Sequence, residues 1–491
     1  MAVTTQRKSL LRRSRRLPRL PLAAVICTVI ACFNAACWSI LSPPFQVPDE
    51  PAHFAYAAIL AETGRLPSSD QILFPPDEEI AMSDTHFGTV YFRPAHGTIS
   101  TQAEQNALEA GLAQPVPRTG TDAGVAASEP PLYYALESIP YRLAGGTVLD
   151  RLALMRLFSA CLGGLTALFA FLFIQEALPD TPWAWSVGGL SVALAPLLAM
   201  MSGAVNPDAL CFAVSAALFC GLARAFRSGL TPKLAATIGA TIAVGYLTKL
   251  EFLGLLPGAL LGLVVLSLRT ARTSIASACR ALALATLFAA TPILIYVIGL
   301  HSGSLQTAAL TGSAANIGQH SSMLDEIEYI WQFYLPRLPG MTAYFHGVLT
   351  TRVLWFNGLV GLYGWLDTTF PNWVYNAALV PAGVIAALIA NALFKDRAAL
   401  RARLAESAVY FMMSLGILTI IGASDYTSQT PGEFREPRYL LPMLALWGLA
   451  LALAARGLGR RWGPLAGTLI VLLFLAHDIF SQLLVISRFY G

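Results

Sequence analysis

Apolar residues in this chain gather in long blocks, and the polar residues fall between the blocks rather than alternating within them. A bilayer core is crossed by roughly 20 apolar residues in a helix. Blocks of that kind lie at 21–42, 152–174, 182–201, 208–226, 234–249, 251–268, 281–300, 374–394, 406–423, 439–455 and 463–485. The pattern predicts an all-α, polytopic membrane protein with eleven transmembrane helices. Lys249 and Glu251 lie at the junction of the fifth and sixth blocks. The stretch 341–365 is apolar and aromatic but is interrupted by His346, Arg352 and Asn357. It reads as an interfacial or re-entrant segment rather than a span.

Composition agrees. Of 491 residues, 56% are hydrophobic and 12% are charged, whereas a soluble domain carries about 25% charged residues. The charges also segregate. Lys and Arg in short loops mark the cytoplasmic side of a membrane protein. Arg7, Lys8, Arg12, Arg13, Arg15, Arg16 and Arg19 precede the first block. With that tail inside, the later inner loops hold Arg224, Arg227, Lys233, Arg269, Arg272, Arg280, Lys395, Arg397, Arg401, Arg403, Arg456, Arg460 and Arg461. Only Glu176, Asp180, Asp396 and Glu406 are acids on that side. The expected location is a bacterial inner membrane, with the N-terminus cytoplasmic and the C-terminus outside. The first apolar run is about 22 residues, longer than the roughly 7–15 of a cleaved signal, and reads as an uncleaved signal-anchor.

This topology divides the chain into a basic tail (1–20), an N-terminal membrane module (21–300) with a first outer loop at 43–151, a second outer loop (301–373) and C-terminal helices (374–491). Both outer loops are long and rich in Pro, Gly, aromatics and acids, while the inner loops are short. Loops of such length are functional or disordered. No phosphate-binding P-loop and no Gly-rich dinucleotide motif occurs, so the inner face has no evident means of using ATP or NAD. The seven cysteines fall in spans or inner loops, which predicts no outer disulfide and no metal-site spacing.

Candidate chemistry begins where the first span ends, at Pro48-Asp49-Glu50-Pro51-Ala52-His53. The prolines suit an extended entry and the first turn of a helix. In such a helix Asp49 and His53 are four residues apart on one face. Two acids and a histidine there suit activation of a hydroxyl or binding of a divalent ion. The simpler alternative is that Asp49 is an N-cap and Glu50 complements the helix dipole.

An acidic pair just after the first span resembles the signature of the C-type integral membrane glycosyltransferases (GT-C). The form with His53 resembles a bacterial branch of predicted membrane proteins of unknown function. Other pieces resemble that branch in order: Glu129-Pro130-Pro131-Leu132-Tyr133-Tyr134, Arg156-Leu157-Phe158-Ser159, Asn206-Pro207-Asp208, Leu247-Thr248-Lys249, Gly361-Leu362-Tyr363-Gly364-Trp365-Leu366-Asp367 and Pro437-Arg438-Tyr439-Leu440-Leu441-Pro442. Glu129 departs from the histidine that many superfamily members carry. The resemblance implies a GT-C-like fold and inverting transfer of a sugar from a polyprenyl-phosphate carrier to an outer hydroxyl on a glycan, lipid or protein. It makes Asp49 the general base and Glu50 a second acid. It makes Lys249, Arg438 and then Arg352 the candidates for the donor phosphate, with His53, Tyr133, Tyr134, Asp367 and Tyr439 as further substrate contacts. Some relatives use Mg or Mn and others use no metal; Glu50 and His53 are the candidate ligands.

Plainer roles stand beside these. Lys249 suits an ion pair or snorkelling, Arg438 interfacial anchoring, Arg156 a structural pairing with an outer-loop acid, Asp208 a helix cap, and Asp367 a local turn. His86, Arg93 and His96 suit a metal or substrate cluster, or are scattered solvent-facing residues. Two other functions compete with sugar transfer. One is a transporter or flippase of a lipid-linked glycan, which would place ionisable residues at the bilayer midplane. The other is a noncatalytic component of envelope assembly.

Overall fold

The computed structural model describes residues 20–67, 74–93, 101–113, 126–299, 323–345, 351–428 and 435–490. Residues 1–19 of the basic tail, His96, His346 and all of 301–322 lie outside these residues. In the N-terminal part α1 spans Leu22–Leu41, α2 Glu50–Thr63, α3 Pro76–Asp84, α4 Phe87–Val90, α5 Gln102–Leu112 and α6 Leu132–Leu143. Then come α7 (Val148–Ala177), α8 (Pro182–Ala193), α9 (Pro196–Ser202), α10 (Asp208–Ser228), α11 (Pro232–Thr248), α12 (Leu256–Ala271) and α13 (Ile275–Gly299). The C-terminal part has α14 (Met323–Tyr334), α15 (Gly358–Gly361), α16 (Asn372–Lys395), α17 (Arg397–Ala402), α18 (Leu404–Thr427), α19 (Leu444–Arg456) and α20 (Gly459–Phe489). A two-strand hairpin pairs Leu362–Tyr363 with Thr368–Thr369.

Among the described residues nine helices are long and apolar enough to cross a membrane. The pair α8 and α9, bent by 56° ahead of Pro196, makes ten if it is one broken span. Proline removes a backbone donor and pushes the residue before it out of the helical region, which accounts for the break. The expected count of eleven is therefore not reached. Its fifth span is α11, whose 17 residues are at the short limit of roughly 17–25 for crossing a bilayer. Among its described residues, the stretch expected to be interfacial forms a π-helical turn at Thr351–Asn357, then α15 and the hairpin, with no long helix.

Helix α7 is the centre of the bundle, packing against α1, α8, α10 and α19. Its start is fixed by Asp150, whose carboxylate accepts from the Thr147 backbone N–H at 2.7 Å. Small residues let helices approach closely in lipid, where hydrophobicity gives no drive for association. A Cβ at Gly188 of α8 would collide with the Gly448 carbonyl of α19, and one at Gly239 of α11 with the Ala285 carbonyl of α13. At the periphery α16 has 6% of its apolar window buried, against 72% in α10. Leu379, Val380, Val384 and Leu393 on it are exposed, as on a helix face suited to lipid.

Candidate functional site

Between α1 and α2 the chain turns sharply. Phe45 and Asp49 take left-handed backbone conformations, at φ 65° and 62°. Residues with a side chain pay for that geometry, and it clusters at functional sites. The turn is held from outside: Asn206 Nδ2 donates to the Pro48 carbonyl at 3.1 Å and Trp365 Nε1 to the Phe45 carbonyl at 3.2 Å. Asp49 occupies the cap position of α2, but its side chain makes no capping hydrogen bond. The left-handed backbone aims it elsewhere.

Glu50 is fully buried and faces the opposite way. Its Oε1 accepts from Arg156 Nε at 2.7 Å and from the Val205 backbone N–H at 3.1 Å, and its Oε2 from Arg156 Nη2 at 2.5 Å. Arg156 also donates to the carbonyls of Ser39, Ser42 and Pro43. This pair closes the end of α1 onto α7, with both carboxylate oxygens occupied.

Asp49 instead bonds Arg438 Nη2. Arg438 Nε lies 2.6 Å from Glu436 and 3.9 Å from Asp208 Oδ2. Lys249 Nζ bonds Asp208 Oδ1 at 2.5 Å and lies 3.0 Å from Glu251, with its ammonium 5.1 Å from the centre of the Tyr439 ring. Arg438 Nη2 also reaches the Tyr439 hydroxyl at 3.3 Å. Two cations and four carboxylates thus share one cluster. It forms where α1 and α11 end and where α2, α10 and the segment into α19 begin. Arg227, Arg269 and Arg456 sit in the last turns of α10, α12 and α19, at the other ends of those helices.

Access and satisfaction within the cluster are uneven. Asp49 exposes 32% of its side chain against 3% for Arg438; Lys249 and Asp208 are buried. Arg438 Nη1 and Asp208 Oδ2 are buried without a hydrogen-bond partner, which is uncommon in a folded interior. Burial would raise the Asp49 pKa, but the Arg438 charge above all holds it below the usual carboxylate range. Burial pushes Glu436 up to about 7, against the pull of Arg438 and with Asp49 and Asp208 adding to it.

Behind Asp49, His53 Nδ1 and the Tyr134 hydroxyl share a hydrogen bond at 2.8 Å. Burial takes His53 down to about 3, so it is neutral at physiological pH. Tyr56 packs on Tyr134 and donates to the Glu129 carbonyl at 3.4 Å. Burial, opposed by Lys249, pushes the Glu129 carboxyl up to about 8, and its Oε2 is buried without a hydrogen-bond partner. Tyr133 bonds Ser159 at 2.8 Å, and Ser159 donates to Glu137 at 2.7 Å.

A family model described as Predicted membrane protein (DUF2142) matches residues 32–447, most of the chain. The chain belongs to the DUF2142 family. No curated protein matches it. Two crystal structures are similar, both of ArnT from Cupriavidus metallidurans. The one bound to undecaprenyl phosphate is 14% identical with a TM-score of 0.45, covering 88% of the DUF2142 chain and 59% of its own. The apo form is 13% identical with a TM-score of 0.41, covering 89% and 60%. The DUF2142 chain therefore spans about three fifths of the length of either.

Of the candidate residues in this DUF2142 protein, Asp49, Lys249, Arg438 and Tyr439 meet directly, and His53 and Tyr134 stand behind them. Lys249 and Glu251 pair despite being two residues apart, a spacing that shares no face of a regular helix. Lys249 is extended, at φ −158°, and a 3-10 turn over Leu250–Leu255 follows it. Asp208 does not act as a cap; Asn206 accepts the Asp208 backbone N–H at 3.0 Å and frees that carboxylate for Lys249. Arg352 is not joined to the cluster by a described bond and donates to Asn376. Asp367 lies in the hairpin turn, accepting from Thr368 at 3.1 Å, 3.9 Å from Arg488. His86 bonds Glu104 at 2.8 Å, and Arg93 offers its carbonyl to Arg488.

The Glu50 oxygens are taken by Arg156, and among the described residues no three His, Cys, Asp or Glu side chains come together as metal ligands. Sequence reasoning overlooked Glu436 and the ion-pairing role of Asp208. An acid two residues before Arg438 was the available signal for the first, and Asn206 as a competing cap for the second.

Proposed function

We propose that this DUF2142 protein is an inverting glycosyltransferase that takes a sugar from a polyprenyl-phosphate carrier and passes it to a hydroxyl at the outer membrane face. One observation carries this reading: an accessible carboxylate, Asp49, is held by a buried guanidinium that keeps a terminal nitrogen, Nη1, without a partner. The resemblance of Pro48–His53 to the acidic motif of the C-type transferases supports it, as does the segregation of basic residues to the other helix ends. That segregation supports an inner-membrane orientation with the N-terminus cytoplasmic. A C-terminus outside follows if α11 and the bent α8–α9 pair both cross.

In this reaction the acceptor oxygen forms a bond to the sugar's anomeric carbon. The bond from that carbon to the phosphate oxygen breaks, the acceptor proton passes to Asp49, and the polyprenyl phosphate leaves with the electron pair. Arg438 and Lys249 stabilise the leaving phosphate. Asp49 is a weak base while Arg438 holds it. A donor phosphate that draws Arg438 toward itself loosens that hold and makes Asp49 more basic as the reaction begins. Glu50 and Arg156 fix the turn that presents Asp49.

The test uses full-length protein in lipid nanodiscs. Native mass spectrometry is expected to detect bound undecaprenyl phosphate, lost on Arg438→Gln. Turnover of radiolabelled polyprenyl-phosphate sugars is expected to fall roughly 10²–10⁴-fold on Asp49→Asn, with insertion and monodispersity unchanged. Undiminished turnover in Asp49→Asn removes Asp49 as the base. Lipid binding indifferent to Arg438 places the phosphate elsewhere.

A further inference from the structure

Four aromatic rings converge beside the acid cluster from segments far apart in sequence. Phe87, Tyr91 and Phe92 come from α4 and the turn after it, and Trp365 from the hairpin turn. Trp365 lies edge-on to Phe87 at 5.6 Å, to Tyr91 at 4.6 Å and to Phe92 at 5.9 Å between ring centres. Tyr91 and Phe92 are 4.2 Å apart. Phe92 exposes 51% of its surface, and its backbone sits at φ 55°. A bulky residue in that region is a conformational outlier. Strain of this kind persists where the surroundings over-determine it, and it clusters at ligand clamps. Here Val90 turns inward, the Arg93 N–H bonds the Val90 carbonyl at 2.9 Å, and Arg488 bonds the Arg93 carbonyl at 2.9 Å. The turn is pinned on both sides of Phe92, and the ring is left outside.

We propose that the exposed Phe92 ring, backed by Phe87, Tyr91 and the buried Trp365, forms a platform for one face of a pyranose ring, next to Asp49. The choice of a sugar rests on the glycosyl-transfer reading. A pyranose presents a face of C–H groups with slight positive charge, and aromatic faces are negative. Polar groups flank the rings, as a hydroxyl-rich ligand requires. Asp367 Oδ2, two residues from Trp365, faces Arg488 Nη2 as an ion pair at 3.9 Å, and that oxygen and Arg488 Nε and Nη1 are buried without a hydrogen-bond partner. The platform is tied to the reacting centre at two points. Trp365 Nε1 bonds Phe45 in the turn that presents Asp49. Tyr91 resists ionisation, first through burial and then through the charges of Asp49 and Glu436, so its hydroxyl lies within their field. A bare isoprenoid chain would need none of these acids or hydroxyls. The pyranose can be the one carried on the donor lipid or one at the acceptor end of a glycan.

Saturation-transfer NMR on the full chain in nanodiscs separates these cases. The probes are methyl glycosides of common pyranoses, the citronellyl-phosphoryl glycosides of the same sugars, and bare citronellyl phosphate. At least one pyranose probe is expected to receive saturation on one C–H face. Phe92→Ala is expected to weaken it about 2- to 10-fold, since one ring contact is lost, and Phe92→Tyr to retain it. Binding of methyl glycosides identifies an acceptor sugar, and binding restricted to the phosphoryl glycosides identifies the donor's. No Phe92-dependent signal from either set overturns the platform, as does an equal response to bare citronellyl phosphate. Pyranose binding without transfer from any donor defeats the transferase reading and leaves the platform. Transfer with Phe92-independent pyranose binding does the reverse.

Discussion

Asp49 and Glu50 are consecutive acids at one helix start, and the structure uses them in opposite ways. Glu50 is sealed: it has no exposure, both its oxygens are bonded, and Arg156 spends its remaining donors on three carbonyls. Asp49 is open: it keeps surface, and its partner Arg438 keeps a nitrogen with nothing to bond. Burying ions is expensive, so a fully satisfied pair is a structural commitment and a half-satisfied one needs another explanation. On the proposed reading, an anion that arrives beside Arg438 completes the second pair. The difference arises from backbone geometry. The left-handed Asp49 turns its side chain away from the helix that Glu50 joins.

Breaking the sealed pair should have the largest effect on the fold. Glu50→Ala leaves the Arg156 charge buried without a counter-ion, which costs about 3–5 kcal/mol. The expected readout is a steep drop in melting temperature and in monodisperse yield in detergent. Glu50→Leu combined with Arg156→Met should recover part of the loss but not all, because three backbone carbonyls then lack their donor. A Glu50→Ala variant as stable as the parent would mean that the pair does not close α1 onto α7.

The open cluster should show the reverse. Arg438→Lys keeps the charge but loses the planar set of donors that reaches Asp49, Glu436 and Tyr439 together. Transfer is expected to fall about 10²–10³-fold, the range for removing one donor to a developing anion, with a much smaller change in melting temperature than Glu50→Ala. If Arg438→Lys unfolds the protein as severely, the contrast between sealed and open pairs fails.

The same contrast marks what the sequence made legible. Lipid demands long apolar helices with internally satisfied backbones, so most spans stood out within a few residues of their ends. Segregated Arg and Lys marked one set of helix ends before any packing was known. Asp49 and Arg438 were reached through resemblance to a family motif. Two of their partners came from tertiary closeness: Asp208 and Lys249 are remote in sequence from both and meet them only when the helix ends converge, whereas Glu436 lies two residues before Arg438. The ion pair open to Lys249 at the junction of two spans is made with Glu251, and the extended backbone at Lys249 is what lets residues two apart meet. Arg352, a charge in an apolar stretch, donates to Asn376 and keeps its Nε buried without a hydrogen-bond partner.

Titration offers the finest test of the contrast, because buried acids of the open region are displaced toward neutral pH. Glu129, raised to about 8 by burial against Lys249, binds a proton in the folded state that the unfolded chain has already released. An ordinary glutamate titrates near about 4.3. Between those values the folded state holds more protons, so stability falls as pH rises. The contribution is complete below the unfolded value, is lost as pH passes through about 8, and is constant beyond it. Glu129→Gln cannot ionise and escapes that loss. The melting temperature of Glu129→Gln minus that of the parent should therefore climb from pH 5 to pH 8 and then level off. His53, lowered to about 3 by burial, acts in the other direction: its contribution is present above about 6.5 and is lost as pH falls toward 3. That loss is common to both proteins and cancels in the difference. A flat difference across the range would show that Glu129 carries no burden of burial and belongs with the satisfied side of the molecule.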